Sequence, residues 1–583
     1  MNAEQLLQHF DRISEAPDAI ARLRRFILDL AVRGKLVEQD PNDEPASELV
    51  KRIQLEKHRL VKEGKVKLQE PLPSINDGEI EYEIPPSWQP TRIGGLLTVI
   101  RGASPRPKGD PKYFSVERTG YHWIKISDIR KHSKNRVLYD TDEFLTEAGM
   151  EKSVLLPKGT LIMTNSATIG VPIFLGFEGG CIHDGYLAFP YFPDSEISKD
   201  FFFILLQTLE SYALKMARGM AQLNLNTGLV RNFPLGLPPL AEQHRIVAKV
   251  DQLMALCDQL QAAQNEREQN RDRLVAASLH RLNQPADDEA VNALEAQREQ
   301  AHFLFNHLPR LTTRPEHIKQ LRQTILNLAV RGKLVPQDPN DEPASELLKR
   351  IQIEKGCLSK KDGSNNKREF GEKLFDLPSS WGWATLGELA LSLRYGTSIK
   401  CSYEQVGSPV LRIPNIDNGR IDSTDLKFGS LSQRELDEFR LEDGDILMIR
   451  SNGSLHIVGR PALVESHCIG YSFAGYLVRL RFSKGNVVPR YLVLALNSTY
   501  ARDQIEIPIR SAVGLKNINS TEISLLHISL PPLAEQHRIV AKVDELMALC
   551  DQLETQLTDT ATDSRRLLEA VLHGALLPVG QAA

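Results

Sequence analysis

The sequence predicts an α+β protein in which two mixed α/β domains are separated by long paired helices of coiled-coil type, with the whole chain an internal, pseudo-twofold repeat. Three observations carry this. LPPLAEQHRIVAKVDQLMALCDQL (Leu237–Leu260) recurs as LPPLAEQHRIVAKVDELMALCDQL (Leu530–Leu553), 293 positions on, with only Gln252/Glu545 changed. LAVRGKLVEQDPNDEPASEL (Leu30–Leu49) recurs as LAVRGKLVPQDPNDEPASEL (Leu328–Leu347), 298 positions on. The stretches between the copies share only a faint skeleton. Two near-identical frames around two divergent inserts place two different surfaces in matched geometry, and a repeat of this length fixes the architecture.

The expected units are an N-terminal helical block over 1–86, a first insert over 87–236 and a central helical spacer over 237–379. A second insert over 380–529 and a C-terminal helix over 530–583 complete the chain. At 583 residues the chain is too long for one core, and a prior of ~150 residues per domain suggests several units. Apolar content of 41% and charged content of 25% are ordinary for a globular protein. The net charge of −4 carries no global sign of nucleic-acid binding, so local patches must decide. Neither a long apolar run nor a secretory signal is visible. Six cysteines form no CxxC, and Cys257 and Cys550 occupy twin helical positions suited to packing. A reduced, cytoplasmic protein is the expectation.

The frame reads as helices. Each copy opens with Pro-Pro (Pro238-Pro239, Pro531-Pro532), which suits a first helical turn whose N–H groups lack partners. Ile246, Val250, Leu253, Cys257 and Leu260 then step by four and three. Ile539, Val543, Leu546, Cys550, Leu553 and Leu557 repeat the seam. The seam thins over 264–273 and resumes near Leu274 and Val275, so a helix from about 240 to 282 would run roughly 65 Å. Partner stripes stand at Ile20, Leu23, Ile27, Leu30 and at Ile318, Leu321, Ile325, Leu328. Gly34 and Gly332 supply left-handed ends. A turn at Pro41, Asn42 and Asp43, repeated at 339–341, precedes a short helix. The simplest geometry is a ring in which the chain ends meet.

The inserts run from Ser87-Trp88 and Ser380-Trp381 to the LPP of the long helices. Strands are expected over 123–129, 159–176 and 185–189, and over 410–416, 444–464 and 475–482, from β-branched and aromatic residues between Gly, Pro and Asn. Helices follow at Lys199–Met216 and around Arg490–Arg502. Polar residues differ at matched places. Lys125, Ser127 and Asp128 face Arg412, Pro414 and Asn415, and Thr164-Asn165-Ser166 faces Arg450-Ser451-Asn452-Gly453.

These differences nominate a DNA-binding set. KISDIRKHSKNR (Lys125–Arg136) holds five Lys/Arg and one His against one Asp, so Lys125, Arg130, Lys131, Lys134 and Arg136 could meet phosphates. Arg412, Arg420 and Arg450, with Asn415 and Asn452, offer the Arg–guanine and Asn–adenine pairings of the major groove. Arg218 and Arg510 open the last loop of each insert, which in the second reaches Lys516. A solvated loop charge remains the bland alternative for each.

No catalytic constellation stands beside them. No Gly-rich S-adenosylmethionine loop followed by Asn/Asp-Pro-Pro-aromatic is present, nor a GxxxxGK[ST] phosphate cradle. Pro193-Asp194 with Glu196 and Lys199 faintly suggests a nuclease triad, but its spacing is ExxK, and a helix cap explains it better. The fifteen His show no zinc spacing. His244 and His537 recur within the frame, where a structural or partner contact is expected.

PPLAEQHRIVAKVD after a variable domain, and LAVRGKLVPQDPNDEPASEL after a helix, resemble the type I restriction-modification specificity subunits over essentially the whole chain. The resemblance implies two target recognition domains, each reading one half of a bipartite site on double-stranded DNA. It also implies helices that set the gap and dock two adenine methyltransferase subunits, with motor-nuclease subunits joining for restriction. Catalysis, with S-adenosylmethionine, ATP and Mg, would then belong to the partners, and no cofactor to this chain. The GKLV segment ahead of the first insert departs from the pattern and puts the helix pairing in doubt. The rival classes are a standalone DNA-modifying enzyme, against which the missing cofactor motifs stand, and a coiled-coil scaffold, which has no reason to vary its inserts. The purified chain, incubated with S-adenosylmethionine and DNA, should transfer no methyl groups; label in the DNA of a partner-free reaction would overturn that.

Overall fold

The computed structural model describes residues 16–576, apart from 17, 68, 77, 81, 132–135, 166–168, 217–224, 284–313, 359–374, 418 and 511–515. Two compact units divide the chain, Met1–Glu266 with Ala561–Ala583 and Arg267–Thr560. Both mix helix and sheet. Among the described residues no helix is long and apolar enough to cross a membrane.

In the first unit α1 (Ala19–Val32) ends near Gly34, whose φ of 69° is the left-handed value that favours glycine. Helix α2 (Ala46–Lys62) follows the Pro-Asn-Asp turn and is longer than the short helix expected. The insert begins with a strand, Gln89–Arg92, that pairs antiparallel with its last strand, Pro234–Leu237, so both ends are stitched together beneath the domain. Between them lie two five-stranded sheets. One carries Tyr186–Phe189, Leu161–Thr164 and Pro172–Leu175 as successive neighbours; the other pairs His122–Ile124 in parallel with Gly180–Ile182. Helix α3 (Lys199–Met216) covers the first sheet with buried Phe201, Phe202 and Leu206.

The second unit repeats this plan with fewer strands. Helices α5 (Pro315–Val330) and α6 (Ala344–Leu358) answer α1 and α2. Gly382–Thr385 pairs with His527–Leu530 as the stitch. Ala390–Tyr395, Leu477–Phe482, Ile446–Ile449 and Pro461–Leu463 form the four-stranded sheet. The helix expected around Arg490–Arg502 is two helices, α7 (Pro489–Leu496) and α8 (Thr499–Arg510), broken at Asn497 and Ser498.

Expected strands over 123–129 and 410–416 stop early, at Ile124 and Leu411. Lys125 N–H donates to Asp128 Oδ2 at 2.8 Å, and Arg412 N–H donates to Asn415 Oδ1 at 2.8 Å. A short polar side chain that captures its own backbone turns the chain out of the sheet, into a helix at Ile126–Lys131 and a 3-10 turn at Ile413–Asn415.

The long helices, α4 (Leu240–Asn283) and α9 (Leu533–Leu576), each have 44 residues, roughly 66 Å at the α-helical rise. In the first unit α1 meets the start of α4, where Arg24 holds Asp258 at 2.5 Å. It also meets the end of α9, where Ala16 and Ala19 pack on Leu568 and Val571. In the second unit α5 meets the end of α4, through Val275, Leu279 and Ile318, and the start of α9, through Arg322–Asp551 at 2.6 Å. Ile246, Val250 and Cys257, with Ile539, Val543, Leu546 and Cys550, are buried as the seam requires. Two seam positions are corrected: Leu260 is exposed, and Leu274 is 53% exposed while Val275 is 3%. An α-helix drifts against a seven-residue repeat, so the inward face moves by a position over several turns.

The head of each long helix explains why its letters repeat. Glu535, wholly buried, accepts from Trp381 Nε1 at 2.9 Å and from Gln337 Nε2 at 2.6 Å. Gln536 accepts from Val488 N–H, ahead of α7, at 2.8 Å and donates to Pro531 O at 3.0 Å. Arg538 pairs with Asp341 at 2.5 Å. The first unit repeats these contacts with Glu242–Gln39 at 2.7 Å, Gln243–Ser198 N–H at 2.8 Å and Arg245–Asp43 at 2.7 Å. Burial pushes both glutamates above the usual carboxylate range, against the pull of the tryptophan and glutamine bonds. His244 and His537, on the same turns, are exposed. Glu535→Ala strands the Trp381 and Gln337 donors and should cost about 2–4 kcal/mol in urea unfolding. His537→Ala one turn outward should stay within about 0.5 kcal/mol.

Candidate nucleic-acid interface

Backbone hydrogen bonds align the two inserts without reference to side chains. Asn165 N–H donates to Gly185 O at 3.0 Å, and its carbonyl accepts from Leu225 N–H at 3.1 Å. Arg450 N–H donates to Tyr476 O at 2.9 Å, and its carbonyl accepts from Ile518 N–H at 2.8 Å. Asn165 therefore stands where Arg450 stands, and Gly185 where Tyr476 stands. The sequence match of Thr164 to Arg450, and of Gly185-Tyr186 to Gly475-Tyr476, is off by one residue. Gly159 and Gly444 carried the correct signal: both have positive φ and both lie six positions before the matched pair. The same logic confirms Lys125 against Arg412 and sets Val171 against Arg460, whose carbonyls accept from Thr164 N–H and Ile449 N–H.

The nominated residues fall into four groups. Lys125 and Arg412 occupy one matched place and each is held by a carboxylate, Glu143 at 2.6 Å and Asp425 at 2.9 Å. Arg412 also lies 5.9 Å from the Tyr403 ring centre, with Lys427 on the same ring at 4.6 Å. Arg450 lies over Tyr395, and Asn452 is beside it, its N–H donating to Lys516 O at 3.2 Å while its Oδ1 caps Ser454 N–H at 2.8 Å. Arg420 is exposed on the hairpin of Ile416–Asp417 and Arg420–Ile421.

Two residues do other work and are corrected. Asn415 is 1% exposed and spends its amide on Asp422 O and Asp425 O, both at 2.9 Å, so it shapes the turn that carries Arg412. Arg136 pairs with Asp200 at 3.2 Å and with Asp251 of α4, and it covers the Phe203 ring. It clamps the domain to the long helix. Arg490 reaches Asp544, the twin of Asp251, at 3.0 Å and replaces that clamp in the second unit.

Arg130 and Lys131 belong to the helix Ile126–Lys131, and Arg510 ends α8; the side chains of all three lie outside the described residues. Lys134 and Arg218 lie outside them altogether. Lys516 lines a cavity of about 390 Å³ with Ile505, Ile509 and Leu526.

Charge counting missed Tyr395 and Tyr403, whose partly or largely exposed rings lie beside Arg450, Arg412 and Lys427. An aromatic next to an arginine on a surface is the signal that could have found them. Among the described residues no group of three or more His, Cys, Asp and Glu is placed to hold a metal. Of the ExxK stretch, Lys199 pairs with Asp194 at 2.8 Å and Arg52 with Glu196 at 2.7 Å, which suits a helix entry.

Two inserts of common backbone and unlike surface, each stitched at its base to a repeated helical frame, define a non-identical pair of recognition domains on one chain. The family model described as type I restriction modification DNA specificity domain matches residues 85–268 and again 378–562. The chain belongs to the family of type I restriction-modification specificity subunits. It is 32% identical to the type I restriction enzyme EcoEI specificity subunit of Escherichia coli, over 96% of this chain and 94% of that one. To the EcoAI specificity subunit of the same organism it is 31% identical over the same shares. The crystal structure of the HsdS subunit from Thermoanaerobacter tengcongensis aligns over 86% of this chain and 99% of that one, at 20% identity and a TM-score of 0.40.

The two kinds of cation should separate experimentally. Lys125→Gln with Arg412→Gln should flatten the salt dependence of DNA binding by up to about two units of slope, at ~0.9 per phosphate contact. Arg136→Ala should leave that slope alone and lower the unfolding midpoint, because it removes the clamp on Asp200 and Asp251. A slope changed by Arg136→Ala and not by the double variant would reverse the assignment.

Proposed function

We propose that this chain is the non-catalytic, cytoplasmic DNA-reading subunit of a type I restriction-modification complex. The insert over 87–236 reads one half of a bipartite site and the insert over 380–529 reads the other. The helical regions over 1–86, 237–379 and 530–583 form a pseudo-twofold frame that sets the gap and docks two methyltransferase subunits. Motor-nuclease subunits complete the restriction complex, and S-adenosylmethionine, ATP and Mg act on the partners. The observation that carries this reading is the set of matched backbone positions with unlike side chains: Lys125/Arg412, Asn165/Arg450, Val171/Arg460 and Gly185/Tyr476. A scaffold has no use for such variation on an otherwise repeated frame. Helices of roughly 66 Å also exceed the ~34 Å of one duplex turn, which suits two readers on separate major grooves. Lys125, Arg130, Lys131, Lys134, Arg218, Arg412, Arg420, Arg450, Asn452, Arg510 and Lys516 are the contacts this reading retains.

The reading is tested by exchanging residues 88–236 for the first domain of another family member and sequencing the methylated adenines of a host carrying the variant. One half of the methylated sequence should change while the other half and the gap stay as they were. Change in both halves would show that the domains do not read independently.

A further inference from the structure

The second domain contains an arginine that it does not itself use. Arg394, Arg412, Arg481, Arg490 and Arg502 each hold a carboxylate, and Arg460 and Arg479 hold backbone carbonyls. Among the described residues the guanidinium groups of Arg420, Arg434, Arg440 and Arg450 make neither kind of bond; the first three are exposed to water and Arg450 is half-buried. Its Nε is buried without a hydrogen-bond partner, and its Cζ lies 4.7 Å from the centre of the Tyr395 ring. With Nε enclosed, as it also is in Arg412 and Arg479, and no internal acceptor on the outer nitrogens, those outer nitrogens of Arg450 are left for a ligand that supplies acceptors.

The ring beneath it is held at both ends. Tyr395 pairs with Val478 in the sheet, and its hydroxyl accepts from Ser520 N–H at 2.7 Å. The Arg450 backbone is fixed by Tyr476 and Ile518. A guanidinium stacked on an aromatic keeps its planar fork of donors in one orientation, whereas a flexible lysine would not. Such a fork fits a planar pair of acceptors, either O6 and N7 of a guanine or two oxygens of a phosphate.

The first domain decides between these. A phosphate contact carries no sequence information, and the matched pair Lys125/Arg412 keeps its positive charge in both domains as such a contact requires. At the matched pair Asn165/Arg450 the charge is not kept. Asn165 is 1% exposed and gives its amide to Asp184 O at 3.2 Å, so the first domain presents no fork of donors at this place, and Arg450 is a feature of the second domain alone, as a contact specific to one half-site requires.

We propose that Arg450, positioned by Tyr395, recognises a guanine in the half-site read by the second domain. The proposal rests on the reading of the chain as a DNA specificity subunit. Tyr395 is a positioning residue, acting only through Arg450.

The test uses the chain assembled with its methyltransferase subunits and the site mapped from host methylation. Each guanine of the half-site assigned to the second domain by domain exchange is replaced in turn by 7-deazaguanine, which lacks the N7 acceptor. One replacement should weaken binding of the parent at least about 5-fold, the lower end of what a bidentate base contact contributes. Arg450→Met should lose about 5- to 150-fold on ordinary DNA and become indifferent to 7-deazaguanine at that position. Tyr395→Phe, which keeps the ring, should bind as the parent does, and Tyr395→Leu should lose part of the discrimination. The assignment is overturned by a parent insensitive at every guanine, which needs no variant to fold. It is also overturned by an Arg450→Met protein that keeps the parent's full sensitivity, or that loses affinity only through a flatter salt dependence. Failure of the broader reading looks different: host methylation would then follow no two-part sequence at all.

Discussion

A buried glutamate followed by a buried glutamine, in the first turn of a 44-residue helix, is the interaction on which the rest of each unit depends. Glu535 gathers the tryptophan that opens the insert and the glutamine of the preceding turn, while Gln536 takes hold of the backbone leading into α7. Three segments distant in sequence are thereby fixed to one helical turn, and Arg538–Asp341 closes the outer edge. A buried carboxylate is tolerated only where donors converge on it, so these partners must move together or not at all. Glu242 and Gln243 hold Gln39 and the Ser198 N–H in the same way in the first unit. The near-identity of the repeated letters is thus accounted for by contacts within the chain.

With the base of each insert held alike, the far ends are free to differ. The strand pairs Leu161–Thr164/Tyr186–Phe189 and Ile446–Ile449/Leu477–Phe482 keep one register. They carry Asn165 and Arg450 out of the sheet at the same point. Backbone pairing is indifferent to side-chain chemistry, which lets one scaffold bury a carboxamide in one domain and stack a guanidinium on a ring in the other. The clamp between insert and helix also tolerates a change of parts. Arg136 reaches Asp251 from a loop, and Arg490 reaches Asp544 from a helix.

The charge distribution follows from this division of labour. Several cations of the inserts are matched by a carboxylate close by, as Lys125 is by Glu143 and Arg481 by Asp445, within a chain whose net charge is −4. Paired cations hold the domain in shape and can exchange a carboxylate for a phosphate with little net change in charge around them. An arginine left unpaired against a ring has no such partner to give up.

Much of the architecture was legible in the residues alone. Heptad spacing placed the first long helix to within a residue or two and the second within the stretch 530–583, Gly34 and Gly332 marked the ends of their partners, and the doubled motifs announced two inserts. These are local or periodic properties, and the sequence by itself determined them because backbone preference and amphipathic spacing act over a few turns. The candidate site was half legible. Lys125, Arg412 and Arg450 could be nominated by type and position, but Asn415 and Arg136 looked the same on paper, and the structure ties the first into its own turn and the second to the long helix. Tyr395 gave no sign of its role, because its meaning comes from a strand and a helix that meet it 55 and 125 residues away, at Arg450 and Ser520. The one-residue offset between Asn165 and Arg450 was likewise invisible to letter matching, since the recurrence of Gly-Tyr is a coincidence that hydrogen bonding ignores. Which cation is spent inside the protein and which is left for a ligand depends on neighbours brought together from afar, and only the tertiary structure decided that.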